Sequence, residues 1–197
     1  MSKKSFTTER QTGRSLPWLP HRTGRYYWTQ IGVGATGATG DPNVNTLYAF
    51  PIFIPDLATY TRIAIHTTTA GTGSARLGIY NDNTGVPGSL VLDAGTVARS
   101  GTGAKEITIS QSLARGWYWT AYVADQQDGI HRGFAQAGCL SWLGAADTTG
   151  QTTNYTNWQV AFTYATLPDP FQAGGALGGA APGTSGIDCF KIMLAIV

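Results

Sequence analysis

LGIYNDNTGVPGSLVL, residues 77 to 92, is the stretch on which the fold turns. An apolar, β-prone run stops at Tyr80, nine mostly polar or turn-forming residues follow, and a second apolar run starts at Leu90. Asn and Asp side chains in the middle can stand in for backbone turn hydrogen bonds. Gly85 and Gly88 supply positive φ, and Pro87 presets its own φ. A calcium loop would need several converging carboxylates, and only Asp82 is at hand, with Asp93 beyond the next run. The segment therefore reads as a bend between two strands.

The rest of the chain repeats this grammar. LYAFPIFIP (47–55), YTRIAIHT (60–67), ARLGIY (75–80), KEITIS (105–110), GWYWTAYVA (116–124), CLSWLG (139–144), WQVAFTYA (158–165) and CFKIMLAIV (189–197) are short apolar or alternating runs between turn-rich separators. Pro51 and Pro55 place the first of them at a sheet edge or a strand start. GWYWTAYVA sets Trp117, Trp119, Ala121 and Val123 on one face, where both tryptophans are expected in the core, and Tyr118, Thr120 and Tyr122 on the other. No window carries a capped 3.6-residue period. About eight or nine strands in one domain predict an all-β chain, a jelly-roll-like β-sandwich with an extended N-terminal arm. The expected organisation is an arm over 1–25, a first strand and Gly-rich connector over 26–45, and the sandwich over 46–197. GVGATGATGDP in the connector repeats Gly three times at a three-residue spacing, too few triplets for a collagen helix, and reads as flexible.

Charge divides the chain as clearly as pattern does. Of 197 residues only 12% are charged, about half the usual share. Residues 1–25 nevertheless hold Lys3, Lys4, Arg10, Arg14, Arg22 and Arg25 against Glu9, a net +5, while the remainder carries −3. SLPWLP (15–20) adds a stiff apolar plug around Trp18. Such an arm suits docking on an acidic partner surface, with a solvated tail as the plainer alternative. The basic stripe ends at residue 25, so nucleic acid is not an expected partner. No apolar core follows MSKKSF, and no run reaches the roughly 20 residues of a membrane span, so neither a secretory leader nor membrane insertion is expected. Cys139 and Cys189 fit no metal spacing, and whether they bridge is open.

The succession TTTAGTGSARLGIYNDNTGVPGSL (67–90), KEITIS (105–110) and LARGWYWTAYVA (113–124) resembles a β-sandwich module of tailed-bacteriophage virion appendages, the head and tail fibres. The likeness covers roughly residues 45–125, and beyond them only the general character persists. It rests on turn and core patterns. It implies a structural part of a virion, exposed on the particle, that attaches to other virion proteins (capsid, portal or tail) through Lys3, Lys4, Arg10, Arg14, Trp18, Arg22 and Arg25. It further implies a homo-oligomer, a trimer by preference, and host-surface polysaccharide as a candidate ligand. A capsid-decorating protein and a carbohydrate-binding module are the alternatives.

Catalytic patterns are sparse. Asp128 and His131 share the loop ADQQDGIHRG, but no nucleophile motif accompanies them. The only glutamates are Glu9 and Glu106, so no obvious acid pair for glycoside cleavage exists. GATGATG lacks the lysine and helix of a phosphate loop. An enzyme is not expected, and no cofactor or metal is implied. Trp142, Asn154, Tyr155 and Trp158 border a very polar loop, a composition suited to stacking sugar C–H faces while amides and hydroxyls bond sugar hydroxyls. The competing reading makes Trp142 and Trp158 core residues. FQAGGALGGAAPGTSG (171–186) is expected to be a loop, flexible or laid flat on a neighbouring subunit.

Overall fold

The computed structural model of the chain describes residues 19–28, 38–40, 42–127, 130–133, 143–144, 154–180 and 191–197. Its strands are β1 (Arg25–Tyr27), β2 (Ala38–Gly40), β3 (Thr46–Ile54), β4 (Ala58–Thr69), β5 (Ser74–Asp82), β6 (Pro87–Ala98), β7 (Gly103–Leu113), β8 (Gly116–Ala124), β9 (Ile130–Gly133), β10 (Asn154–Ala161), β11 (Ala176–Ala180) and β12 (Met193–Ile196). No helix occurs among the described residues.

Two antiparallel sheets pack against each other as a β-sandwich. One has the order β11-β10-β3-β8-β5-β6. The other is centred on β4, with β7 along one edge. Its opposite edge takes β12, then β1, over the middle of β4, and β9, then β2, at its C-terminal end. The pairings nest: β3 with β8, β4 with β7, β5 with β6. Residues 46–124 are thus one long hairpin whose rungs alternate between the sheets, closed by pairing of β8 with β5.

The hairpin's tip is the NDNTG stretch. Asn83 and Val86 exchange backbone bonds of 2.8 and 3.4 Å. Thr84 and Gly85 between them have φ of 56° and 87°, the mirrored two-residue turn whose twist matches that of the flanking strands. The bend is a bend.

In the β4-centred sheet, alternation works as the sequence predicts. Ile63 pairs with Ile107 towards the core, while Arg62 and Glu106 lie on the outer face, 3.8 Å apart. The β3-containing sheet differs, because both of its faces are apolar. Tyr48, Phe50, Ile52 and Ile54 of β3 point between the sheets. Leu47 and Ala49 join Tyr80, Trp119, Ala121, Val123 and Val160 in a second cluster on the outer face. The Trp119-Ala121-Val123 row of β8 is therefore not the inter-sheet core, where Tyr118 and Tyr122 stand instead.

Other expectations change as well. β3 is an inner strand, not an edge. Pro51 is tolerated because β10 pairs only with Thr46–Ala49, so no ladder on that side needs its missing N–H. β6 is a strand of 12 residues, although Asp93 and Gly95 interrupt its sequence pattern. Register shifts opposite Leu77, Gly78 and Tyr80, with Gly95 at φ 89°, absorb them. Ala38–Gly40, inside the Gly-rich connector, pairs with β9. Ala176–Ala180, inside the Gly/Ala run, pairs with β10 of its own chain. The strand expected over 158–165 ends at Ala161.

Candidate functional site

The outer face of the β3-containing sheet is the feature that calls for a functional account. An apolar sheet face exposed to water would be unstable, and part of this one is roofed by the segment 162–175. Leu167 and Phe171 insert into the second cluster. Gly78 provides the floor, since a Cβ there would lie 2.2 Å from the Leu167 side chain and 2.6 Å from the Leu92 carbonyl oxygen. Polar bonds pin the roof at both sides. Leu167 N–H donates to Asp93 at 3.1 Å, Tyr80 O–H to the Pro168 carbonyl at 2.8 Å, and Leu90 N–H to Asp169 at 2.9 Å. Phe171 N–H donates to the Gly88 carbonyl at 2.9 Å. Asp93 is itself held by the Arg76 guanidinium, with contacts of 2.8 and 2.9 Å.

On the same outer cluster, at Trp119 and Leu143, a recess of about 300 Å³ opens, lined by Pro51, Asp82, Gly85, Trp117, Trp119 and Leu143. Each wall follows from the strand period. Pro51 and Trp119 are a cross-strand pair of β3 and β8, as are Phe53 and Trp117 one step further. Trp119 is 1% exposed, whereas Trp117 is 38% exposed, so only the former fits the core expectation. Trp117 is braced by the Phe53 ring, with centroids 5.3 Å apart, and the Arg115 guanidinium lies over that same Phe53 ring, 5.8 Å from its centroid. Asp82, at the end of β5, has two structural tasks. Its carboxylate accepts the Trp119 indole N–H at 2.8 Å, and both its oxygens lie 3.2 Å from the Gly85 N–H of the turn. The side chain is still exposed at the rim.

Of the residues expected to bind glycan, Asn154, Tyr155 and Trp158 lie on β10, and none of them lines the recess. Tyr155 is half-buried on β10, and its N–H donates to the Gly144 carbonyl at 3.1 Å, which ties it to the Leu143–Gly144 segment that walls the recess. Trp158 is half-buried against the outer cluster, with Gly175 flat on its indole, since a Cβ at Gly175 would lie 2.1 Å from Nε1. Asn154 begins β10. Trp142 lies outside the described residues, as do Cys139, Cys189 and Asp128. His131 is on β9, fully buried, with Nε2 2.9 Å from the Tyr122 hydroxyl and Nδ1 3.5 Å from that of Thr67. Burial, reinforced by the Arg99 charge, pushes its pKa down to about 3.

Of the expected anchoring residues, Lys3, Lys4, Arg10, Arg14 and Trp18 lie outside the described residues. Arg25 opens β1, which pairs with β12, and Arg22 donates its backbone N–H to the Tyr27 hydroxyl at 2.5 Å. His21 stacks on Tyr27 at 3.5 Å and bonds the Tyr60 hydroxyl at 2.6 Å. Half-burial there lowers the His21 pKa to about 4. Gly24 N–H reaches the Ile196 carbonyl at 2.6 Å.

The sequence marks Pro51 as a strand-edge residue, Asp82 as a turn residue and Trp117 as a core residue, and none of them as a ligand contact. The signal for them was present: LYAFPIFI and WYWTAYVA are apolar at nearly every position, the pattern of strands buried on both faces. Strands of that kind need something on their second face, and Trp117 lies on that face. No protein-family model, curated protein or solved structure matches the chain.

Proposed function

We propose that the chain is a structural, non-enzymatic component of a bacteriophage virion, a head or tail fibre or spike. Its N-terminal arm docks on capsid, portal or tail, and its sandwich projects outwards as a homotrimer that attaches to host-surface glycan. The observation that carries this reading is the base of the arm. Residues 21–27 are built into the β4-centred sheet through β1–β12 pairing, the Gly24–Ile196 bond and the His21 contacts with Tyr27 and Tyr60. The basic arm therefore meets the body at His21, two residues after Leu19, which is 73% exposed, and Tyr26 and Trp28 are exposed as well. A charged tether fixed at its root and bordered by exposed apolar side chains suits docking onto another protein. The nested pairing β3–β8, β4–β7, β5–β6 supports reading the sandwich as a jelly roll.

The test is incorporation into particles of the full chain against a chain that starts at Leu19. The reading expects the shortened protein to fold normally and to be absent from purified virions. Equal incorporation of both would remove the arm from the mechanism.

A further inference from the structure

We propose that the recess between Trp117 and Asp82 is a saccharide subsite for an uncharged pyranose, whose C–H face packs on the Trp117 indole while its hydroxyls donate to Asp82. The inference rests on the glycan-attachment reading and names its site and sugar class.

Three observations carry it. The outer apolar face of the β3-containing sheet is covered in part by the chain's own Leu167 and Phe171, and the recess of about 300 Å³ opens on the same cluster, at Trp119 and Leu143. That volume lies at the low end for small-ligand sites, which combine an apolar lining with a few placed polar groups. Trp117 is 38% exposed and held against the Phe53 ring, which limits the ordering cost of binding at its exposed part. A sugar ring is amphipathic in the way such a wall requires, with axial C–H groups on one face and hydroxyls around its edge.

Asp82 supplies the polar part. An ionised carboxylate offers about four acceptor positions. Trp119 Nε1 and the Gly85 N–H occupy part of that capacity and fix the group's direction. What remains faces the rim, and hydroxyl donors to a carboxylate make charge-assisted bonds. Among the described residues the lining holds one acid and no base, and the Arg115 guanidinium lies over the Phe53 ring. A uronate or sialate would meet the Asp82 charge unpaired, so charge complementarity selects uncharged sugars.

The experiment titrates the full chain with neutral gluco-, galacto-, manno- and N-acetylglucosamine oligosaccharides and with an oligouronate, reading tryptophan fluorescence and calorimetric heat. Binding of a neutral sugar is expected, weakened about tenfold or more in both Trp117→Ala and Asp82→Asn, with native mass unchanged. Asp82→Asn keeps shape and can still accept from Trp119, which guards against a folding artefact in the first variant. Neutral-sugar binding that survives both substitutions overturns the subsite and leaves glycan attachment standing, with Tyr155 and Trp158 as the next place to look. Binding of the oligouronate alone overturns the charge argument. A change in native mass on Trp117→Ala means that a second copy fills the recess, which overturns the proposal. If no sugar binds at all, the subsite and the attachment reading fall together.

Discussion

Thr84 sits where its chemistry is least suited. Its φ of 56° is left-handed, and a β-branched side chain there crowds its own backbone, whereas the mirrored turn prefers Asn followed by Gly. Gly85 already meets the second requirement. Thr84→Asn should therefore stabilise the protein by about 0.5–1 kcal/mol, seen as a higher urea midpoint at unchanged slope. A lower midpoint would mean that the Thr84 side chain makes a contact worth more than the strain. Because Gly85 lines the recess, the same variant asks whether turn strain matters to binding. His131 gives a prediction of the opposite kind, about pH. Its folded pKa of about 3 lies below the ordinary value of 6.5, so between these values the unfolded chain binds a proton that the folded one refuses. Stability is fully present above about pH 6.5 and declines as pH falls towards 3, by up to about 1.4 kcal/mol per pH unit. His21, lowered to about 4 but only half-buried, adds a smaller contribution of the same sign. Thermal melts from pH 7 to 4 should show this decline, and His131→Gln should flatten it while lowering stability at pH 7 through the lost Tyr122 and Thr67 contacts. An equally steep decline in the variant would assign it to other groups.

At the scale of elements, the roof segment is the part whose removal should be easiest to provoke. Gly78 cannot become Ala without meeting the Leu167 side chain at 2.2 Å and the Leu92 carbonyl at 2.6 Å. The side chain can turn away, but the carbonyl belongs to the β5–β6 ladder and cannot. Gly78→Ala should cost about 1–3 kcal/mol and loosen 162–175, exposing it to limited proteolysis before the sandwich itself is cut. Unchanged protease resistance would show that the Asp93, Pro168, Asp169 and Phe171 bonds hold the roof without Leu167. The same element explains how far the sequence could be read. Period-2 runs such as KEITIS place one face in and one out, and β4 and β7 obey them. LPDPF, by contrast, carries no periodic signal, and its pinning depends on Asp93 and Tyr80, more than 70 residues earlier. β11 hid in a Gly/Ala run because small residues were needed there: a Cβ at Gly178 would strike Asn157 at 2.3 Å. Of β6 only the run at Leu90 is legible, because its bulges break the alternation that would have carried the strand on to Ala98. Alternation groups Trp117 with Trp119 and so predicts both in the core, but Trp119 joins the outer cluster and Trp117, next to the strand end, stays 38% exposed.

The whole molecule raises the question of where the arm stops and the body starts. Composition puts the boundary after Arg25, but the contacts put it before His21, since His21, Gly24 and Arg25 all bond the sheet. A chain beginning at Leu19 retains every one of these contacts. A chain beginning at Tyr26 loses the His21 stack on Tyr27, the Tyr60 bond and the Gly24–Ile196 bond, and it uncovers part of the otherwise buried Tyr60. With each such contact worth about 0.5–1.5 kcal/mol, the second truncation should be less stable by about 2–3 kcal/mol. For a chain of this size that is a melting point lower by roughly 4–12 °C, while the first truncation should melt with the full chain. Native mass measured on all three separates anchoring from assembly. If the body trimerises through its own surfaces, the Leu19 chain stays trimeric, and only the Tyr26 chain, with β1 weakened, can lose subunits. If the Leu19 chain is a monomer and the full chain a trimer, residues 1–18 hold the subunits together, and an arm spent on that contact is not available to dock on the particle.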